Sequence, residues 1–258
     1  MAKYIQCANN KNKNVSIIET INSIKKAGFD GVFVQWFDRD YELSKQEQVS
    51  LCKSLNLEIE FAHLSYEKIN SIWDDSIDGD NLVEEYKIEL NECFDCGINL
   101  AVMHVTGKPS TIAQPNMLGI ERLQKIVDHA KTLGIKIAFE NTKIKNYLEY
   151  IFEHISNDNI GVCLDSGHIH CHFNDKFNWD FFKNKILAVH LHDNDSSFDQ
   201  HLLPFDGTIN WDTMAENLKQ SGYTGPVTLE STYRDDYLNI SIEEFYKLSI
   251  ERAKQIKL

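Results

Sequence analysis

The sequence predicts a TIM-type (β/α)₈ barrel, an expectation carried by periodicity and by length. Short runs rich in β-branched and aromatic residues alternate eight times with longer segments of helical period, the pattern of a parallel sheet joined by helical crossovers. At 258 residues and 42% hydrophobic content, the chain matches what one such barrel needs, roughly 250 residues, so a single domain over 1–258 is expected. An open, doubly wound sheet uses the same alternation. No G-x-G-x-x-G follows the first run, however, and eight runs of similar length favour closure.

In chain order, KYIQCA leads to a helix near Val15 to Ala27, and GVFVQWF to one near Ser44 to Leu55. LEIEFAHL is followed by a long loop containing SYEKINSIWDDSIDGD, and the next helix is expected near Asn81 to Cys96. NLAVMHV precedes Asn116 to Leu133, IKIAFEN precedes Asn146 to Ser156, and NIGVCLD precedes Trp179 to Asn184. ILAVHLHD opens a second long loop, NDSSFDQHLLPFDGTINW, before Thr213 to Ser221; GPVTLES and Ser241 to Gln255 complete the eighth unit. Glycines in KKAGFDG, FDCGINL and KTLGIKI stand where a left-handed C-cap ends a helix and turns the chain into a strand. Long loops after barrel strands commonly carry function.

Composition narrows the function classes. A formal net charge of −13 disfavours non-specific attraction to nucleic acid, which depends on Lys and Arg neutralising phosphates. No apolar run approaches the ~20 residues of a membrane helix, and no signal-peptide pattern opens the chain, so a soluble, cytoplasmic protein with no membrane partner is expected. The six cysteines are scattered, which suits a reduced compartment. Cys93 and Cys96 form a C-x-x-C within a helical stretch and are expected as small buried residues.

The reacting groups of such barrels come from strand C-termini and the loops that follow. Strand three ends in His63, strand four in His104, strand five in Glu140, strand six in Asp165 with His168 just beyond, strand seven in His190-Leu191-His192, and strand eight in Glu230. Carboxylates and imidazoles converging on one barrel mouth repel or desolvate one another unless a cation lies between them. Nitrogen and oxygen ligands without thiolate suit Zn, Mn, Co or Fe. The period of a strand puts His190 and His192 on one face, and Glu140 and Glu230 can bind metal through one oxygen and act as bases through the other.

The motifs FAHLSY, VMHVTG, AFENT, CLDSGH, HLHDND, DQHLLPFDGTINW and TLES, in this order, resemble the xylose-isomerase-like TIM-barrel superfamily, which includes endonuclease IV and many sugar and sugar-phosphate isomerases and epimerases. The resemblance runs from about strand two to strand eight. It implies a divalent metal, Zn or Mn, held by Glu140, Asp165, His190 and Glu230, with His168 contacting substrate as in the epimerases. In endonuclease IV the same four positions join further ligands around three zinc ions, and the matching residues here are His63, His104, His168, Asp199 and His201, so one to three metals per chain are implied. Two stretches depart from the subgroups: ANNKNKN replaces the glycine-rich first loop of endonuclease IV, and NDSSFD carries no arginine where the epimerases place one. In GHIHCHF only His168 matches the pattern, and His170, Cys171 and His172 are expected as loop or lid residues.

The resulting expectation is an isomerase or epimerase acting on a small sugar or sugar phosphate through an enediolate, with Glu140 and Glu230 moving the proton and His168 and His192 polarising oxygens. Lys108, Lys143 and Arg234 follow three of the ligands and are candidates to hold a phosphate or carboxylate. Tyr66, Trp36 and Trp73 either stack on a sugar ring or close the barrel top. Pairing of barrels into a homo-oligomer is implied by the resemblance alone. The alternative is a trinuclear zinc phosphoester hydrolase cleaving DNA at abasic sites, supported by the full ligand set and opposed by the charge and the first loop.

Overall fold

The computed structural model describes residues 2–9, 12, 14–37, 41–107 and 113–258. Its strands are β1 (Tyr4–Cys7), β2 (Gly31–Gln35), β3 (Glu58–His63), β4 (Leu100–His104), β5 (Lys136–Glu140), β6 (Ile160–Asp165), β7 (Ile186–His190) and β8 (Val227–Leu229). They pair in parallel in the order β7-β6-β5-β4-β3-β2-β1-β8. A parallel bridge from Leu191 to Leu229 closes the ring, with Leu191 N–H donating to Thr228 O at 2.9 Å and Glu230 N–H to Leu191 O at 3.0 Å. The chain is thus a TIM (β/α)₈ barrel. Among the described residues no helix is long and apolar enough to cross a membrane.

The helices are α1 (Ile17–Ala27), α2 (Lys45–Ser54), α3 (Ile77–Asp95), α4 (Met117–Thr132), α5 (Tyr147–His154), α6 (Ser166–Phe173), α7 (Trp211–Gln220) and α8 (Ile242–Gln255). Local chemistry sets several of their ends. Ser44 with Glu47 and Ser241 with Glu244 form reciprocal capping boxes that satisfy the first amides of α2 and α8. Gly28 takes φ of 96° after α1, a conformation that a side chain resists.

Two expectations are corrected. Trp179–Asn184 forms turns instead of a helix, and the helix of the sixth unit is α6, which follows β6 without a loop and contains His168, His170, Cys171 and His172. Its cause is Asp165, whose carboxylate accepts the His168 N–H at 2.7 Å and caps the first turn. In the third unit the helix starts at Ile77, ahead of Asn81, and a 3₁₀ helix at Ile69–Trp73 occupies the loop before it. The Arg122 guanidinium fixes that loop from α4, donating to the carbonyls of Ser71, Ile72, Asp74 and Ser76 and pairing with Asp80 at 3.0 Å.

Apolar side chains form a large layer between sheet and helices and a small plug inside the barrel made of Cys7, Phe33, Phe61, Val102, Ala138, Cys163 and Ala188. The register between β2 and β3 slips between Val32↔Ile59 and Val34↔Ala62, so β3 carries one extra residue. Glu60 lies at this bulge and reaches across the interior, where it accepts the Thr228 hydroxyl at 2.6 Å. On the other side of the plug, Phe33 stacks on His190 with ring centroids 5.0 Å apart, so the apolar layer forms the floor of the polar mouth.

Candidate metal centre

Five successive strands end on a residue able to bind metal: β3 on His63, β4 on His104, β5 on Glu140, β6 on Asp165 and β7 on His190. Parallel register then aligns them, His104 opposite Glu140 and Asp165 opposite His190. Glu230 follows β8 by one residue, and His168 stands in the first turn of α6. The loop after β7 brings Asp199 and His201 back over the mouth. Asp193 holds that loop, its carboxylate accepting the backbone N–H groups of Asn194, Phe205 and Ile209 and the Trp211 indole at 2.8 Å.

The side chains fall into three overlapping sets. His63 Nε2 and His104 Nε2 each lie 3.3 Å from Glu140 Oε2. His190 Nδ1 lies 3.3 Å from the same oxygen, 3.5 Å from Glu230 Oε2 and 4.0 Å from Asp165 Oδ2. His168 Nε2 and His201 Nε2 each lie 3.3 Å from Asp199 Oδ2. In three of these rings the other nitrogen meets a backbone carbonyl: His63 Nδ1 at Leu64 O (3.0 Å), His168 Nδ1 at Asn141 O (3.0 Å) and His201 Nδ1 at Glu230 O (3.1 Å). A neutral imidazole donating Nδ1–H in this way turns a bare Nε2 lone pair toward a carboxylate oxygen. Two lone pairs at that separation require a proton or a cation between them, and backbone-anchored histidines are the usual support of metal ligands.

The unsatisfied atoms agree with that requirement. Glu140 Oε2, both nitrogens of His190 and Asp199 Oδ1 are buried with no hydrogen-bond partner among the described residues, and native proteins rarely leave such groups unpaired. Burial pushes the Glu140 carboxyl upward, yet His104 and His190 overcome it and hold it well below the usual range. Burial likewise opposes ionisation of Asp165 and Asp199, and neighbouring histidines hold both low. Against the same cost of burial, Asp165 and Asp199 hold His168, and Cys163 with Glu230 and Glu140 hold His190, well above the usual imidazole range. A field that draws protons onto imidazoles favours a divalent cation equally well. The donors in these compact groups are nitrogen and oxygen, with the buried Cys163 thiol beside Glu140 and His190 as the one sulfur, and they fit a borderline ion such as zinc.

A cavity of about 550 Å³ opens over these residues. His63, Tyr66, His104, Glu140, Lys143, His168, Asp199, His201 and Glu230 line it, while Asp165 and His190 lie buried beneath. Tyr66 stacks on His104 with centroids 4.4 Å apart, and Lys143 Nζ stands 4.0 Å from Asp199 Oδ2. Two predicted residues take other places. His192 is fully buried outside the cavity lining, against Asp165, so its ring is not placed to polarise a substrate oxygen. Arg234 donates to Gln200 O at 2.5 Å and pairs with Asp236 at 3.0 Å, which commits its guanidinium to bridging its own loop and the loop after β7, away from a substrate anion.

Lys108 lies outside the described residues. Trp36 and Trp73 are buried, their indoles bonded to Glu92 and to the Val105 carbonyl, so both close the barrel by packing. His170 is held by Asp175 and Thr208. Cys93 is buried and Cys96 partly so, and burial raises both thiols, which disfavours redox or metal chemistry there. Asn9, Gln35, Glu67, Asn70, Thr106, Gly107, Thr142 and Thr232 complete the cavity wall and carry no recognisable signal in the sequence.

Comparison with known proteins agrees with this architecture. The family model for the xylose isomerase-like TIM barrel matches residues 21–256. An uncharacterized protein of Sinorhizobium fredii, y4fM, is 32% identical over 147 residues, 50% of this chain and 42% of the relative, so the match spans less than half of that protein. An inosose isomerase of Halalkalibacterium halodurans is 24% identical over 95% of this chain and 92% of its own. A probable endonuclease 4 of Mycoplasma mycoides subsp. mycoides SC is 26% identical over 57% and 58%. Among solved structures, a D-psicose 3-epimerase from Clostridium cellulolyticum H10 with D-tagatose superposes with a TM-score of 0.78 at 15% identity, covering 99% of both chains. An IOLI protein with a bound zinc atom gives 0.77 at 18%, covering 99% of this chain and 98% of that one. With nearly the whole barrel matched, this chain belongs to the xylose isomerase-like TIM barrel family.

Proposed function

We propose that the protein is a divalent-metal-dependent isomerase or epimerase of a small sugar or sugar phosphate. One observation carries this reading. His190 Nδ1 lies between two cavity-lining glutamates, 3.3 Å from Glu140 and 3.5 Å from Glu230, so the site presents carboxylates on both sides of one ion position. Asp165 and His190, buried beneath the cavity, would complete the set of residues that hold the ion. A bound divalent ion supplies Lewis-acid polarisation of a substrate carbonyl and so acidifies the adjoining C–H. Glu230 and Glu140 then take the proton from carbon and return it, each within the cavity and each already desolvated. His168 orients a substrate oxygen through Nε2, and Lys143, 40% exposed at the rim, pairs with a phosphate or carboxylate. The cavity volume of about 550 Å³ falls in the range of small-molecule sites, about 300–1,000 Å³. The inosose isomerase and epimerase relatives support the same substrate class.

A second reading, a metal-dependent phosphoester hydrolase, is favoured by the two outer sets, His63 with His104 and His168 with Asp199 and His201, and by the endonuclease 4 relative. Elemental analysis of protein purified without chelator separates the two. About one metal per chain, with solvent deuterium exchanged into a ketose and the exchange abolished in Glu230→Gln, is the expected result. About three metals, no exchange and cleavage of an abasic-site duplex would replace the isomerase with the hydrolase.

A further inference from the structure

The geometry points to His192 as a positioning residue that joins the core of the metal centre to the loop carrying Asp199 and His201, an inference that rests on the metal reading above. The pattern His-Leu-His brings both imidazoles to one face, but they occupy different depths of structure. His190 lies nearest Glu140 and Glu230, at 3.3 and 3.5 Å, whereas His192 lies nearest Asp165, with Asp199 Oδ1 and Glu230 Oε2 farther off at 3.7 and 3.9 Å. Its Nε2 lies 3.1 Å and 3.2 Å from the two oxygens of Asp165, and its Nδ1 is buried with no hydrogen-bond partner among the described residues. The proton therefore sits on Nε2 and is donated to Asp165. Because Asp165 Oδ1 also accepts the His168 amide at 2.7 Å, the carboxylate is locked in rotation with Oδ2 available to the core.

The other face of the ring supports the loop. His192 and His201 stack with centroids 4.1 Å apart and planes inclined by 12°. Their nitrogens fall in one compact group with Glu230, but lone pairs in two nearly parallel ring planes run side by side and do not meet at one ion. One ring is thus the ligand candidate and the other its backing. His201, which lines the cavity and faces Asp199, is the former; His192, excluded from the cavity lining, is the latter. The backbone beneath is clamped as well, with the Ser166 hydroxyl donating to His192 O at 2.8 Å and accepting from His192 N–H at 3.0 Å. Gly167 makes room for the ring, since a Cβ there would lie 2.0 Å from His192 Cε1.

Two substitutions separate the two contacts. His192→Gln keeps an N–H donor for Asp165 and loses the stack; His192→Phe keeps a ring under His201 and loses the donor. Metal affinity is read by chelator competition with Zn²⁺, loop order by hydrogen–deuterium exchange over residues 199–203, and folding by circular dichroism. The donor-less Phe variant is expected to weaken Zn²⁺ binding by about 10–100-fold, the effect of losing a group that orients a ligand, with loop exchange unchanged. The Gln variant is expected to hold Zn²⁺ within about threefold of wild type and to exchange faster over the loop. Should the Phe variant fold poorly in its tight cradle, the Gln variant alone decides: Zn²⁺ binding weakened tenfold or more with the donor retained, or unchanged loop exchange, overturns the inference. Zn²⁺ binding by folded His192→Phe at wild-type strength also overturns it. Wild-type protein that binds no divalent ion refutes the metal reading itself and removes the basis for this one.

Discussion

Glu140→Gln tests the centre at its most shared atom. Glu140 Oε2 lies 3.3 Å from His63, His104 and His190, and Oε1 lies 3.3 Å from His168 Nδ1, so one buried carboxylate faces four imidazoles. Glutamine preserves shape and removes the charge. Deleting one partner of a buried, paired charge costs about 3–5 kcal/mol, and at about 1.4 kcal/mol per decade this corresponds to roughly a 10²- to 10³-fold or greater loss of divalent-metal affinity. Chelator competition at neutral pH measures that loss, and circular dichroism checks that the barrel persists. A pH series of thermal unfolding in chelator adds the sign. The Glu140 carboxyl is depressed in the folded state, so its stabilisation is fully present above the unfolded carboxylate value, near 4.5, and is lost as pH falls through the lower folded one. Wild type should exceed Glu140→Gln in stability at neutral pH, and the gap should close in acid. A folded Glu140→Gln with metal affinity within threefold of wild type refutes the shared-ligand role, and a gap independent of pH refutes the electrostatic account.

Burial raises the Glu60 carboxyl from 4.5 to about 7, with the Thr228 hydroxyl and His190 opposing. A raised carboxylate favours the protonated folded state, so the protein loses stability as pH rises from about 4.5 to 7 and stays lower above. Glu60→Gln should therefore match wild type near pH 4.5 and exceed it at pH 8, by on the order of 2 kcal/mol once partial exposure is discounted; equal melting temperatures at pH 8 would contradict this. Arg122→Met leaves four loop carbonyls without their donor and should cost about 3–5 kcal/mol, read by urea unfolding. A loss under 1 kcal/mol would show that the guanidinium is not what fixes the 3₁₀ turn.

The barrel and the convergence of ligands were legible because they rest on local signals. A strand of period two that ends on His63, Glu140 or Asp165 delivers that side chain to the mouth wherever parallel strands are in register, and the register is set by the helices' lengths and caps. Features that depend on tertiary contact were not legible. SGHIHCHF has weak helix propensity, and its helix exists because Asp165 caps it. Nothing in LEIEFAHL marks Glu60, and the bulge in β3 turns it inward toward Thr228. Arg234 follows Glu230 closely enough to appear to share its face, but the turn after β8 sends it to Gln200 and Asp236. His192 shares the face of His190 as the period requires; its exclusion from the cavity follows from the His201 ring lying over it.

Charge balance links the number of metals to the charge of the substrate. Glu140, Asp165, Asp199 and Glu230 together carry four negative charges in a water-poor mouth. One divalent ion leaves two of them to be balanced by protons on histidines such as His168, which carboxylates already hold in the charged form. That site would be neutral at the metal and suit a sugar whose reacting end is uncharged, with Lys143, the only additional cation among the described cavity residues, left to pair with a phosphate or carboxylate at the rim. Three divalent ions with neutral histidines leave two positive charges, which an anionic phosphoester and a metal-activated hydroxide would cancel. On the proposed reading the histidines would be the exchangeable part of the centre: the same Nε2 lone pairs would accept either protons or metals, and each choice would suit a different class of substrate. This is why the stoichiometry measurement reports on chemistry as well as on composition. It also explains why a chain of net charge −13 can be compatible with either substrate class, since the field inside the mouth is set by what the four carboxylates hold and not by the surface.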